Sequence, residues 1–223
     1  MANYVLVHGA WGGSWAYDRL AQELWTAGHR VVVVNLKGLG QRAAELAPGI
    51  TLSDHIEDVV SQTEAAGFAR FVLVGHSYGG MIITGVSARL GARIDAIAYI
   101  DAFLPDDRQS LWDLTGEFEH RHYIDTQKDT PGLVAPIAGA ENPRLTRHPL
   151  LTLLEAVHLT GEERKIPRRA YVFASAWEPT PFKRFRDKVM HDPTWEYHDA
   201  RSSHDVMTDQ PAQLLEILLD LAR

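Results

Sequence analysis

The chain has 223 residues, 45% of them hydrophobic, and a formal net charge of −7, enough apolar material for one sizeable core in one domain. It has no cysteine, which excludes disulfides, thiolate catalysis and cysteine-held zinc or iron–sulfur sites. The acidic balance, without a basic face, argues against a nucleic-acid partner.

The first apolar run, Tyr4–Val7, predicts a strand. No basic region, long apolar segment or small-residue cleavage site precedes it. No apolar stretch approaches the roughly 18–20 residues that a membrane-spanning helix needs. The expectation is a soluble, cytoplasmic protein without a membrane partner.

Amphipathic spacing predicts a helix over Ser14–Ala27, closed by Gly28, and then a strand over Val31–Val34. A second helix is expected over Ser53–Ala66, with Ser53 as its N-cap, Ile56, Val59 and Val60 on one face, and Gly67 at its end. Strand Phe71–Val74, a helix from Met81 towards Leu90, and strand Ile97–Ile100 follow. Late in the chain come strand Ala170–Phe173, a weaker strand Trp195–His198, and a helix over Pro211–Leu221 carrying Leu214, Leu215, Leu218 and Leu219. Continuous apolar runs suit strands buried on both faces. Their alternation with helices implies an α/β architecture: an about six-stranded, mainly parallel sheet with helices on both faces.

The rhythm breaks between Pro105 and Pro167. Here stand His120-Arg121-His122, Pro131-Gly132, Asn142-Pro143 and an apolar helix expected over Leu150–Leu159, with no clear strand. Residues 105–167 are expected to form a small lid on a core made of residues 1–104 and 168–223. His120 and His122 have no accompanying ligand pattern and read as loop histidines, so no metal is expected.

Gly75-His76-Ser77-Tyr78-Gly79-Gly80 lies between a predicted strand and a predicted helix. A G-x-S-x-G pentapeptide in that position forms a sharp turn that lifts the serine oxygen above the sheet edge. Side chains at the flanking glycines would collide across the turn. Ser77 is thus a candidate nucleophile, in an α/β-hydrolase fold. Val7-His8-Gly9-Ala10-Trp11-Gly12-Gly13 follows the first strand, where this fold puts an oxyanion donor, so Ala10 and Tyr78 N–H groups are the expected oxyanion hole. A dinucleotide-binding loop would need G-x-G-x-x-G and an acid after the next strand. Gly9 has no glycine two residues on, and the next strand ends at Asn35.

Position must choose among eleven histidines. Ser203-His204-Asp205 lies between the last strand and the last helix, where this fold carries its general base, His204. His8 is expected to brace the oxyanion loop and His76 to be a scaffold residue. Two carboxylates keep the order serine, acid, histidine. Asp101 ends the fourth strand and is the first choice; Glu178 follows the fifth and is the alternative. Asp199 is too near His204 to be the default. Trp11, Phe103, Leu104, Trp112 and Leu154 are expected apolar lining for a substrate between elbow and lid.

The chain resembles the small α/β-hydrolases related to plant methylesterases and hydroxynitrile lyases, with their bacterial esterase relatives. The resemblance rests on Val5–Trp15, Ala27–Val31, Val72–Met81, and Ser203–Met207 with Pro211, and covers most of the chain outside the lid. It implies a cofactor-free esterase reaction. The lyases have a hydroxyl residue in place of Gly9 and a lysine in place of Asp205; without that charge, hydrolysis is favoured. Plant members carry the acid after the fifth strand, where this chain has Trp177-Glu178. The expected function is a serine carboxylesterase acting on a small apolar or aryl ester. A lyase or lactonase activity on the same residues, or a non-catalytic ligand receptor, is the alternative. A homodimer is left open.

Overall fold

The computed structural model describes residues 1–137 and 142–223. In chain order its main elements are β1 (Asn3–Val7), α1 (Asp18–Thr26), β2 (Arg30–Val33), α2 (Leu52–Ala65), β3 (Phe71–His76), α3 (Gly79–Leu90) and β4 (Ile94–Ile100). Then come α4 (Leu111–Leu114), α5 (Glu117–Asp125), β5 (Leu133–Val134), β6 (His148–Pro149), α6 (Leu151–Leu154), β7 (Arg168–Ala174), α7 (Lys183–Val189), β8 (Glu196–Ala200), α8 (Val206–Asp209) and α9 (Pro211–Leu221).

Six strands form one sheet in the order β2-β1-β3-β4-β7-β8, and every pairing in it is parallel. Alternation along each strand sends side chains to two cores. Val5, Val7, Leu73, Ile97, Tyr99, Tyr171 and Phe173 face α2, α3 and α7. Tyr4, Leu6, Val72, Val74, Ala96, Ala98, Ala170 and Val172 face α1 and α9. Both faces are covered, which is why the strands read as continuous apolar runs.

Three expectations about helix bounds and caps change. The first helical stretch is a 3₁₀ turn over Ser14–Tyr17 followed by α1. The N-cap of α2 is Thr51, not Ser53. Thr51 Oγ1 accepts the Asp54 N–H, and the Asp54 carboxylate accepts the Thr51 N–H, a reciprocal capping box. Ser53 instead gives its N–H and O–H to the carboxylate of Glu155, at 2.8 and 2.6 Å.

That contact also explains the third change. The helix expected over Leu150–Leu159 is the single turn α6, after which Glu155 is extended. Glu155 is drawn to the first turn of α2, and Val157 runs on as extended chain, accepting from Arg108 and donating to Gln109. The apolar spacing marks an irregular segment that buries Leu153 and Val157. The same part of the chain does contain a short antiparallel ladder, β5 with β6. His120 and His122 lie on α5 rather than in a loop. His120 stacks on Trp112, centroids 3.7 Å apart, and donates from Nε2 to the Trp112 carbonyl.

Candidate active site

Ser77 sits between β3 and α3 with φ of 55°, a left-handed conformation that costs a non-glycine residue about 1–3 kcal/mol. Its surroundings impose it. The Ser77 N–H donates to the Ile100 carbonyl at 3.2 Å, and its own carbonyl accepts from Gly80 and Phe103. A Cβ on Gly75 would lie 2.8 Å from the Gly79 carbonyl oxygen, one on Gly79 2.6 Å from that of Val7, and one on Gly80 2.1 Å from that of Phe103. The glycines are there because backbone crosses backbone at this turn.

His204, in the loop after β8, is held from two sides. His76 Nε2–H donates to the His204 carbonyl at 2.9 Å, and the two rings lie 4.5 Å apart. The His204 ring contacts the Asp101 carboxylate through Nδ1 to Oδ2 at 2.7 Å. A carboxylate only accepts, so Nδ1 is the donor, and in the neutral ring this leaves Nε2 as the acceptor. Nε2 has no hydrogen-bond partner among the described residues.

Asp101, at the end of β4 with φ of 39°, is fully buried. Its Oδ1 accepts from the Ala174 N–H, and its Oδ2 also accepts from the Trp177 indole N–H at 3.0 Å. Glu178, the other candidate acid, is exposed and pairs with Lys183 at 2.6 Å; that ammonium holds its carboxyl below the usual range. Asp199 accepts from the Ser175 hydroxyl. Of the three carboxylates, Asp101 is the one in contact with His204.

The loop after β1 passes directly against the elbow: a Cβ on Gly9 would lie 3.0 Å from Ser77 Cβ. The backbone N–H groups of Ala10 and Tyr78 find no acceptor among the described residues, whereas the Trp11 N–H donates to His148 Nδ1 at 3.3 Å. The two unspent donors thus lie one residue from Gly9 and one from Ser77, in the two segments that meet at this turn.

A model described as the alpha/beta hydrolase family matches residues 4–217. The chain belongs to the α/β-hydrolase family. It is 36% identical over 241 residues to a carbendazim-hydrolyzing esterase of Nocardioides sp. (strain SG-4G), covering 99% of this chain and 100% of that protein. It is 29% identical over 142 residues to salicylic acid-binding protein 2 of Nicotiana tabacum, covering 63% of this chain and 54% of that one. An extracellular alpha/beta-hydrolase from a Paenibacillus species superposes over the whole of both chains with a TM-score of 0.84 at 22% identity, a likeness of fold.

In this α/β-hydrolase the wall beside His204 is aromatic. Phe182 stacks on the imidazole with centroids 5.1 Å apart and planes at 12°, and Trp177 lies 4.9 Å away. Phe103 packs edge-on to Phe182 at 4.9 Å, and Leu104 is buried in the same core. Trp11 is half-buried, with φ of 60° and its indole N–H on the Val134 carbonyl. Two expected lining residues fit less well. Trp112 has a face covered by His120, and Leu154 is 42% exposed and belongs to neither core.

The hydrolase also has a buried histidine group that sequence reasoning missed, apart from His8. The Tyr78 hydroxyl donates to His55 Nδ1 at 2.9 Å, and His55 Nε2–H donates to the Lys37 carbonyl. Because His148 Nδ1 accepts from Trp11, its Nε2–H donates to Thr152 Oγ1 at 2.7 Å, and Thr152 donates to the Pro149 carbonyl. His8 donates from Nδ1 to the Gly9 carbonyl, leaving a buried Nε2 unpaired. Burial lowers the His8 pKa to about 4 and holds His55 and His148 below the ordinary histidine value. The signal for His55 was available: it lies between Leu52 and Val59 on the apolar stripe of α2. His148 and Trp177 carry no such local mark.

Among the described residues no group of three histidine, aspartate or glutamate side chains stands close enough to hold a metal. No helix among them is long and apolar enough to cross a membrane.

Proposed function

We propose that this α/β-hydrolase is a serine carboxylesterase in which Ser77 is the nucleophile, His204 the general base and Asp101 the acid. The observation that carries the reading is the His204–Asp101 hydrogen bond beside the elbow that presents Ser77. His204 Nε2 takes the hydroxyl proton as Ser77 Oγ bonds to the ester carbonyl carbon. The Ala10 and Tyr78 N–H groups receive the oxyanion, each such donor being worth about 10²–10³ in kcat. The imidazolium passes its proton to the departing alkoxide. Water then gives a proton to His204 as its oxygen attacks the acyl carbon, and Ser77 leaves with that proton. Catalytic hydrogen bonds often tighten only once substrate is bound, which suits the unpaired Nε2.

The aromatic wall of Phe103, Phe182 and Trp177 supports a small apolar or aryl ester, and carbendazim, named for the Nocardioides relative, belongs in the first substrate panel. The described residues of the 105–167 segment serve as the lid, which meets the oxyanion loop at Trp11 through His148 and Val134; residues 138–141 of the expected lid lie outside the described residues. Trp112, covered by His120, and the exposed Leu154 lie outside the proposed lining. Asp205 caps α8 through the Thr208 N–H and supplies no cation beside the base, which supports hydrolysis over cyanohydrin cleavage. The proposed setting is cytoplasmic, which cell fractionation reads.

Fluorophosphonate labelling with peptide mapping tests the reading. The label should fall on Ser77, and Ser77→Ala should lose at least about 10³-fold in kcat on a p-nitrophenyl ester. An unaltered rate in that variant would overturn the proposal.

A further inference from the structure

Trp177 is half-buried at the seam between the two cores, in the turn after β7. Its indole N–H reaches Asp101 Oδ2 at 3.0 Å, and the same oxygen receives His204 Nδ1–H at 2.7 Å. Its ring also lies 4.9 Å from the His204 ring. One side chain thus touches both members of the pair, and through one oxygen atom. An indole N–H is a donor only and does not titrate in the working range of an esterase. It orients the carboxylate without competing for the histidine proton.

The other groups around the pair do not supply this. The remaining donor to the carboxylate is the Ala174 backbone N–H, on Oδ1. Tyr171, below Asp101 on β7, spends its hydroxyl on the Ala102 carbonyl, and burial raises its pKa well above the usual tyrosine value. His76 on β3 donates to the His204 carbonyl and is kept neutral mainly by burial. Asp205 and Asp209 are engaged with the Thr208 and Ser203 N–H groups. Lys183 pairs with Glu178. Among the described ion pairs no lysine or arginine reaches Asp101.

We infer that Trp177 is a positioning residue of the hydrolytic site: its indole N–H fixes Asp101 Oδ2 in the plane that holds His204 Nδ1–H, and draws off part of the carboxylate charge. This rests on the triad reading above. Without the N–H the carboxylate is held only by the Ala174 N–H on Oδ1 and by His204 itself, can turn about that anchor, and bears more of its charge against the imidazolium. Turnover then falls, and the protonated form of His204 is favoured.

Trp177→Phe keeps an aromatic ring against His204 and Phe182 and removes the donor. The expected result is a kcat loss of about 10-fold or more, the size of a hydrogen bond to a charged group. KM should stay within about 3-fold, and the acidic limb of the kcat/KM profile should move to higher pH. In the Asp101→Asn background the same substitution should cost nothing further, because the residue acts through Asp101. Equal losses in both backgrounds, or an unmoved acidic limb with unchanged kcat, would overturn the inference. A measurement that needs no change at Trp177 stands beside it: the Trp177 indole N–H resonance of the otherwise intact protein should move upfield in Asp101→Asn, and a resonance that stays in place counts against the inference. The Ser77→Ala control separates the two proposals. If wild-type turnover does not depend on Ser77 the triad reading fails, whereas Ser77-dependent turnover with a silent Trp177→Phe defeats only this inference.

Discussion

Trp11 and His148, 137 residues apart, are joined by a hydrogen bond from the Trp11 backbone N–H to the imidazole Nδ1 at 3.3 Å. Trp11 directly follows Ala10 in the loop whose Gly9 passes against Ser77, and His148 lies on β6 in the segment between β4 and β7. The contact carries the proposed oxyanion loop on that segment. Tyr78, source of the other proposed donor, packs edge-on to the same imidazole at 4.8 Å and bonds His55. One buried group therefore underlies both donors.

His148→Ala should consequently affect stability and turnover together. It removes a buried ring and leaves the Trp11 N–H and the Thr152 hydroxyl short of a partner. A loss of about 2–4 kcal/mol is expected in urea unfolding, with a fall in kcat on a p-nitrophenyl ester. An unchanged unfolding midpoint would show that the link carries no weight.

The two candidate acids predict opposite kinetics. Asp101→Asn should reduce kcat by about 10⁴-fold, since an amide cannot hold the histidine in the required tautomer. Glu178→Gln should leave kcat within about 2-fold, because an exposed pair with Lys183 is worth little. Steady-state rates on one ester substrate decide between them, and the reverse order would transfer the role to Glu178.

Gly79→Ala should disrupt the elbow rather than merely slow the reaction. The added methyl would approach the Val7 carbonyl oxygen to 2.6 Å, and that oxygen also accepts the Tyr17 hydroxyl, so β1 cannot yield freely. A destabilisation near the top of the ordinary range, about 3 kcal/mol or more, is expected in thermal or urea unfolding. A variant with wild-type stability and activity would contradict the crossing geometry.

Acid should unfold the protein from a pH higher than carboxylate titration alone explains. His8, His55 and His148 are buried and neutral in the fold, whereas their unfolded values lie near 6.5. Below pH 6.5 the unfolded chain takes up protons that the native state refuses, so stability falls as pH falls. The loss continues down to the folded values, about 4 for His8. Each histidine contributes a slope of up to about 1.4 kcal/mol per pH unit. Urea midpoints measured from pH 7 to pH 4.5 read this directly, and in His55→Gln the slope should be shallower. A flat profile to pH 5 would exclude it.

What the sequence determined by itself lies close together along the chain. The glycines around Ser77, the loop after β1 and the continuous apolar strands are local statements, because a backbone crossing or a strand buried on both faces constrains adjacent positions. The contacts that span the chain were decided only by the tertiary structure. Asp101 rather than Glu178 meets His204, 103 residues away, and Trp177 reaches the same oxygen from 76 residues away. Glu155, 102 residues from Ser53, ends a helix that apolar spacing alone would have continued. The physical reason is common to them: a hydrogen bond between distant residues depends on where parallel strands end and which loops meet there, so local sequence could nominate Asp101 and His204 as candidates but could not decide which carboxylate meets the ring.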